Sequence, residues 1–214
     1  MIKVSPKITW LIAIALLTLL SASAKEDIAE IRAKAARGEI DAQIELGHAY
    51  EVGEGLAQNY GEALKWYRKA ADQGDDVAQF DVGVMYYRAL GVPQDLEKAV
   101  KWYRRAALQG NADAQFGLAA FYYAGAGVPK DEIESLAWFD LSALSGLKEA
   151  TENRDLMERA LGPEKSRTAR LRSMEIQQSI KKEPNPESCV TRSRHTTLVE
   201  QAPGKPETTG NKGN

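Results

Sequence analysis

One cysteine, Cys189, stands in a chain of 214 residues, which excludes an intrachain disulfide. Histidine is almost as scarce. His48 and His195 are far apart, and neither has companions at the spacing a metal site needs. No metal and no cofactor is therefore expected. Nucleophile elbows, phosphate-binding loops and dinucleotide fingerprints are absent as well, so the chain reads as non-catalytic. There is no excess of positive charge: the formal net charge is -2. A mildly acidic chain of this kind argues against nucleic acid as a partner.

Long apolar runs are missing everywhere except at the start. Lys3 and Lys7 precede an apolar stretch from Ile8 to Leu20, and Ala22-Ser23-Ala24 follows it as an A-x-A cleavage site. Residues 1–24 thus read as a signal peptide with the mature chain starting at Lys25. The stretch is short for a bilayer span, which disfavours an uncleaved anchor and predicts no stable membrane span after cleavage. No cysteine stands at the cleavage point, so a lipoprotein is not expected. Export to a bacterial periplasm, or secretion, is the expected location. Loss of Lys3 and Lys7 takes the net charge to about -4.

What is present is a repeat. Residues 39–74, 75–110 and 111–146 share one pattern of 36 residues. Gln43/Gln79/Gln115, Tyr50/Tyr86/Tyr122 and Trp66/Trp102/Trp138 keep its register, and Gly38, Gly74, Gly110 and Gly146 punctuate it. A fixed period of this length marks a helical solenoid. In the second unit a first helix is predicted over 76–88, from Val77, Phe80, Val84 and Tyr87 with Ala78, Val82 and Met85. Gly91 and Pro93 end it. Asp95 is the expected N-cap of a second helix bearing Ala99, Val100, Trp102, Tyr103, Ala106 and Ala107, which Gly110 terminates. Asn59 and Asp131 hold the same capping place, and Glu62 and Glu134 stand at capping-box spacing. Small residues at Ala42/Ala78/Ala114, Gly47/Gly83/Ala119 and Ala63/Ala99 allow close helix approach. The large tyrosines and tryptophans are expected to fill the gaps between neighbours, with the tryptophan row in the core.

The phrases AQFDVGVMYYRALGVPQDLEKAVKWYRRAALQG and AQFGLAAFYYAGAGVPKDEIESLAWFDLSALSG resemble Sel1-like repeats, relatives of the tetratricopeptide repeats. The resemblance covers 39–146 and implies an all-α, right-handed α-solenoid of helix-turn-helix units. The first unit departs from the pattern at Glu54-Gly55-Leu56-Ala57, and the third at Ser135 and Asp140. Residues 25–38 align with the second helix of a missing unit. There Ile28 and Ile31 take apolar places, while Glu30 replaces the tryptophan, as suits an N-terminal cap facing water. Residues 147–181, with Gly162-Pro163 in the middle, are similar to the helix pair that closes such proteins. Residues 182–214 shift to proline, glycine and polar residues and read as a disordered tail.

As a family, Sel1-like proteins are adaptors, which implies a protein or peptide partner, here in the cell envelope. If the first helices keep tetratricopeptide phase, the concave groove receives Asp41, Ile44, His48 and Glu51, then Val77, Phe80, Val84, Tyr87 and Arg88, then Asp113, Phe116, Ala120, Tyr123 and Ala124. His48, Glu51, Phe80, Tyr87, Arg88, Phe116 and Tyr123 are the candidate binding residues, since aromatics and arginine anchor interfaces. Phe80 and Phe116 have a packing alternative between helices. Two other functions compete. A cell-wall or polysaccharide binder or hydrolase would use Tyr87, Tyr123 and Glu51 as aromatic faces beside an acid. Some relatives staple each repeat with cysteine pairs and have been linked to cell-wall compounds, but this chain lacks the pairs. An oligomeric building block would use the end caps, or a dimer cross-linked through Cys189.

Overall fold

In the second unit the first helix spans Asp76–Arg88, the range the apolar spacing predicts. A computed structural model describes residues 27–182. The expected signal peptide, Cys189 and His195 lie outside the described residues, as does the expected tail after Lys182. Helix α1 covers 27–36. Then follow α2 (Ile40–Val52), α3 (Tyr60–Asp72), α4 (Asp76–Arg88), α5 (Leu96–Leu108), α6 (Ala112–Ala124), α7 (Glu132–Leu144) and α8 (Lys148–Lys182). Among the described residues there is no strand. The fold class is the α-solenoid of helix-turn-helix repeats, with pairs α2/α3, α4/α5 and α6/α7. The chain divides into two compact parts between Gln73 and Gly74, and each is described by itself.

Capping sets the helix ends. Asn59, Asp95 and Asp131 accept from the backbone N–H groups of Glu62, Lys98 and Glu134. The reciprocal half of the capping box does not form. The Glu62 carboxylate meets Lys65 instead, and that of Glu134 meets Arg172. Asp75 and Asn111 cap the first helices of their units in the same way, through Ala78 and Ala114. Glu39, at that place in the first unit, makes no such bond. Gly38, Gly74, Gly110 and Gly146 all have φ between 91° and 100°, the left-handed conformation that a side chain resists. The inter-helix turn survives its change of sequence in the first unit. The backbone bonds Asn59 to Tyr50, Asp95 to Tyr86 and Asp131 to Tyr122 are 2.8, 3.1 and 3.0 Å.

Each part has an apolar core with polar pins. In the first, Ala35, Ala42 and Leu46 are buried, and Ile31, Tyr50, Leu56 and Trp66 pack on them. Glu30 is exposed and pairs with Lys34 at 2.8 Å. In the second part Trp102 and Trp138 are 8% and 2% exposed. Trp66 is only half-buried, its ring covered by the Lys69 ammonium at 3.7 Å. Amides tie the second helix of a unit to the first. Gln73 Nε2 donates to Gln43 Oε1 at 2.8 Å, and Gln109 Nε2 to Gln79 Oε1 at 2.9 Å. In the third unit the donor's place is taken by Ser145. Its hydroxyl turns to the Leu141 carbonyl, and the buried Oε1 of Gln115 is left without a donor among the described residues.

The departures in the third unit are docking points for α8. This run is broken at Gly162 (φ 78°, ψ 175°), with Pro163 opening the second limb. Ser135 Oγ donates to the Ala119 carbonyl at 2.9 Å and lies 3.5 Å from Met157 Sδ. Asp140 Oδ2 accepts from Ser173 Oγ at 2.7 Å. Arg172 pairs with Glu134 and Lys165 with Glu132, so the second limb of α8 is held along α7.

The missing amide suggests a repair. Ser145→Gln places an Nε2 donor where Gln73 and Gln109 have theirs and should add about 1 kcal/mol. A rise in Tm of about 2–4 °C in thermal unfolding is expected; no rise would mean that the ladder does not extend to the third unit.

Candidate functional site

Aromatic packing in the second part is centred on Tyr103. Its ring occupies the space left by two glycines. A Cβ on Gly83 of α4 would lie 2.7 Å from the ring, and one on Gly117 of α6 would lie 2.3 Å from it. Phe80 and Phe121 meet the same ring edge-on, each with centroids 5.2 Å away. Tyr87 in turn meets Phe121 at 5.5 Å and 88°. Burial pushes the Tyr103 hydroxyl far above the usual phenol range, and the nearby Tyr87, Asp81 and Asp113 add to the effect. It therefore stays protonated beside acids, with Arg88 acting in the opposite direction. Tyr87 is also raised, mainly by burial and less so because of Arg88.

These contacts sort the expected groove residues. Phe80 and Tyr87 are half-buried and Arg88 is exposed, and the three gather around Tyr103 at one end of a rigid aromatic stack. Phe116 is 4% exposed and packs on Phe139 at 5.3 Å, so its packing alternative is the one realised. Val84 and Ala120 are buried too. Helical phase alone placed them in a groove, whereas neighbouring helices cover them. Tyr123 is half-buried, with the Lys130 ammonium 5.7 Å from its ring centroid.

In the first part His48 is exposed and Ile44 is buried. Glu51 is engaged: its Oε2 accepts from the Tyr67 hydroxyl at 2.8 Å. The Tyr67 ring packs against Gly47, where a Cβ would lie 2.8 Å from it. Sequence spacing marks Gly47 and Gly83 as close-approach positions with large tyrosines and tryptophans in the gaps, and the rings that fill them are those of Tyr67 and Tyr103. Gly117 lies outside the small-residue triplets and was missed altogether.

A second feature escaped the sequence reading. At the break in α8 the two limbs enclose a cleft of about 840 Å³ whose lining includes Glu158, Arg159, Ser166, Arg167 and Arg170. Glu158 and Arg170 also line a cleft of about 440 Å³ that reaches Leu141, Leu144, Arg154 and Met174. Among the described residues no group of three or more side chains could hold a metal. None of the described helices is long and apolar enough to cross a membrane.

Helix pairs at a 36-residue period joined by packed aromatic rings define a helical-repeat protein, with the half-buried Tyr87 and the exposed Arg88 at its surface. The Sel1 repeat model matches residues 40–75, 76–111 and 112–147, and the chain belongs to the Sel1 repeat family. Such proteins generally mediate protein–protein interaction and are typically non-catalytic. The crystal structure of a Sel1 repeat protein from Oxalobacter formigenes is similar at 36% identity and a TM-score of 0.57, over 60% of this chain and 97% of that one. The protein c5321, a protective antigen present in uropathogenic Escherichia coli strains that displays the same repeat fold, is 29% identical with a TM-score of 0.55. That match spans 72% of this chain and 41% of that one. Helicobacter pylori cysteine rich protein B shares the fold at 22% identity and a TM-score of 0.50, over 62% and 95% of the two chains. No curated protein matches the chain.

The space between α4 and α6 is filled by one ring, so Gly117→Ala should force Tyr103 aside. A loss of about 1–3 kcal/mol is expected from overpacking, read as an earlier midpoint in urea unfolding. An unchanged midpoint would show that the ring moves at no cost.

Proposed function

We propose that this chain is a non-catalytic adaptor of the bacterial cell envelope that binds a peptide or protein segment on the α4–α6 side of its second compact part. Phe80, Tyr87 and Arg88 supply the anchors, and Tyr123 extends the surface. The observation that carries this reading is the pre-set state of Tyr87. It is half-buried and locked edge-on against Phe121, and the exposed Arg88 follows it in sequence. An anchor already held in one rotamer loses little entropy when a partner covers it. Tyrosine and arginine are also the residues that most often dominate interface energies. His48 stands exposed on α2 as a further candidate contact in the first part. Placement in the envelope rests on the signal-peptide pattern of residues 1–24 and on bacterial relatives of the same family.

Full-length protein produced with its own leader, recovered from cell fractions and sequenced from its N-terminus, should begin at Lys25 in the envelope fraction. A cytoplasmic chain with an intact leader contradicts the location. The mature chain and its Tyr87→Ala/Arg88→Ala variant, matched for folding by Tm, should differ in capture of an envelope protein by tenfold or more, about 1.4 kcal/mol. Equal capture by both removes the α4–α6 surface from the proposal, and capture by neither removes the adaptor reading.

A further inference from the structure

Charge is distributed unevenly along this chain. The three repeats, 39–146, carry seventeen acidic and nine basic residues, whereas α8 carries six acidic and nine basic ones. The basic excess of α8 is concentrated in its second limb, after the break at Gly162. The larger cleft at that break falls within this basic element, and the smaller one lies between it and α7.

Pairing leaves two arginines over. Arg154 forms a two-pronged contact with Asp155, at 3.0 Å from Nε and 2.8 Å from its terminal nitrogen. Arg170 meets Glu158 at 2.9 Å. The two acids of the larger cleft are thus each answered by an arginine. Arg159, by contrast, donates only to the Asp155 carbonyl at 3.0 Å. Arg167 is exposed, and its guanidinium makes no hydrogen bond or ion pair with the described residues. Both line the larger cleft, and both keep guanidinium donors without a partner among the described residues. The smaller cleft continues from the shared Arg170 and Glu158 to an apolar end. There Leu144 and Met174 are 64% and 51% exposed; Leu171 is as exposed on the same limb, but only Leu144 and Met174 of the three line the cleft. Asp140 lies beside that end with Oδ2 taken by Ser173.

We infer that this bent cleft is a second binding site, separate from the α4–α6 surface, and that its occupant is an acidic peptide segment carrying one large aliphatic side chain. The aliphatic group covers Leu144 and Met174, and carboxylates downstream of it meet Arg159 and Arg167. Guanidinium forks match carboxylates in a two-pronged geometry. The acidic repeats repel the same peptide, so its attraction is confined to α8. Recognition of this kind weakens with salt, because both arginines are exposed and screened.

The test is selection of random twelve-residue peptides on the full chain at low salt, followed by affinity measurement with labelled winners. Enrichment of aspartate and glutamate together with leucine, isoleucine or methionine is expected. The winners should lose affinity tenfold or more with Arg159→Glu/Arg167→Glu, and with Leu144→Asp, while Tyr87→Ala/Arg88→Ala leaves it unchanged. Loss with Tyr87→Ala/Arg88→Ala instead assigns the peptides to the α4–α6 surface and overturns the inference. So does the absence of acidic enrichment, or affinity that charge reversal does not change. Vesicles of phosphatidylglycerol are the last arm. If they bind the chain through Arg159 and Arg167 and displace no selected peptide, the site is a lipid contact and the peptide assignment is wrong.

Discussion

The ring of Tyr103 is the constraint on which the second compact part depends. It comes from α5, the second helix of one repeat, and it fills the gap between Gly83 in the first helix of that repeat and Gly117 in the first helix of the next. A helix pair of this kind cannot bury its apolar face alone. Here one side chain serves both the closure within a repeat and the joint to its neighbour. The edge-on contacts to Phe80 and Phe121 extend the joint, and Tyr87 adds the last ring toward the surface. The rigidity of the proposed binding surface is therefore a consequence of the core beneath it.

Where the repeat breaks its own rules, it is ending. Ser135 and Asp140 replace the residues of the second unit because they meet α8, not another repeat. Ser145 replaces the amide donor and leaves Gln115 Oε1 without a partner among the described residues. Glu30 takes the tryptophan position in α1, is exposed, and pairs with Lys34. Solenoids need ends that differ from their middle, and these substitutions are the means. The break at Gly162 is part of the same solution. It turns the second limb of α8 back along α7, where Arg172 and Lys165 hold it.

Helix limits, N-caps and glycine stops were legible in the sequence because they are local. Asp95 and Asn59 cap through amides three residues away, and a 36-residue period repeats the signal. What required coordinates was everything decided between elements. Helical phase put Phe116 and Val84 on the same side as Tyr87, but Phe139 lies over Phe116 and both residues are buried. Helical phase also places Glu51 in the groove, and there its carboxylate accepts from the Tyr67 hydroxyl. Gly117 carried no periodic mark, since Glu45 and Asp81 stand at its place in the other units. The arginine cleft arises from a bend, and a Gly-Pro pair announces a bend without its direction.

The proposed adaptor function and the proposed peptide cleft both rest on a scaffold whose second and third repeats are coupled through one ring. Hydrogen exchange of the full chain and its Tyr103→Leu variant, followed by mass spectrometry, tests that coupling most directly. The account predicts that peptides from α4 and α6 lose protection together with those from α5, because both flanking glycines face the vacated space. Loss confined to α5 would contradict it and would reduce Tyr103 to a local core residue of its own helix.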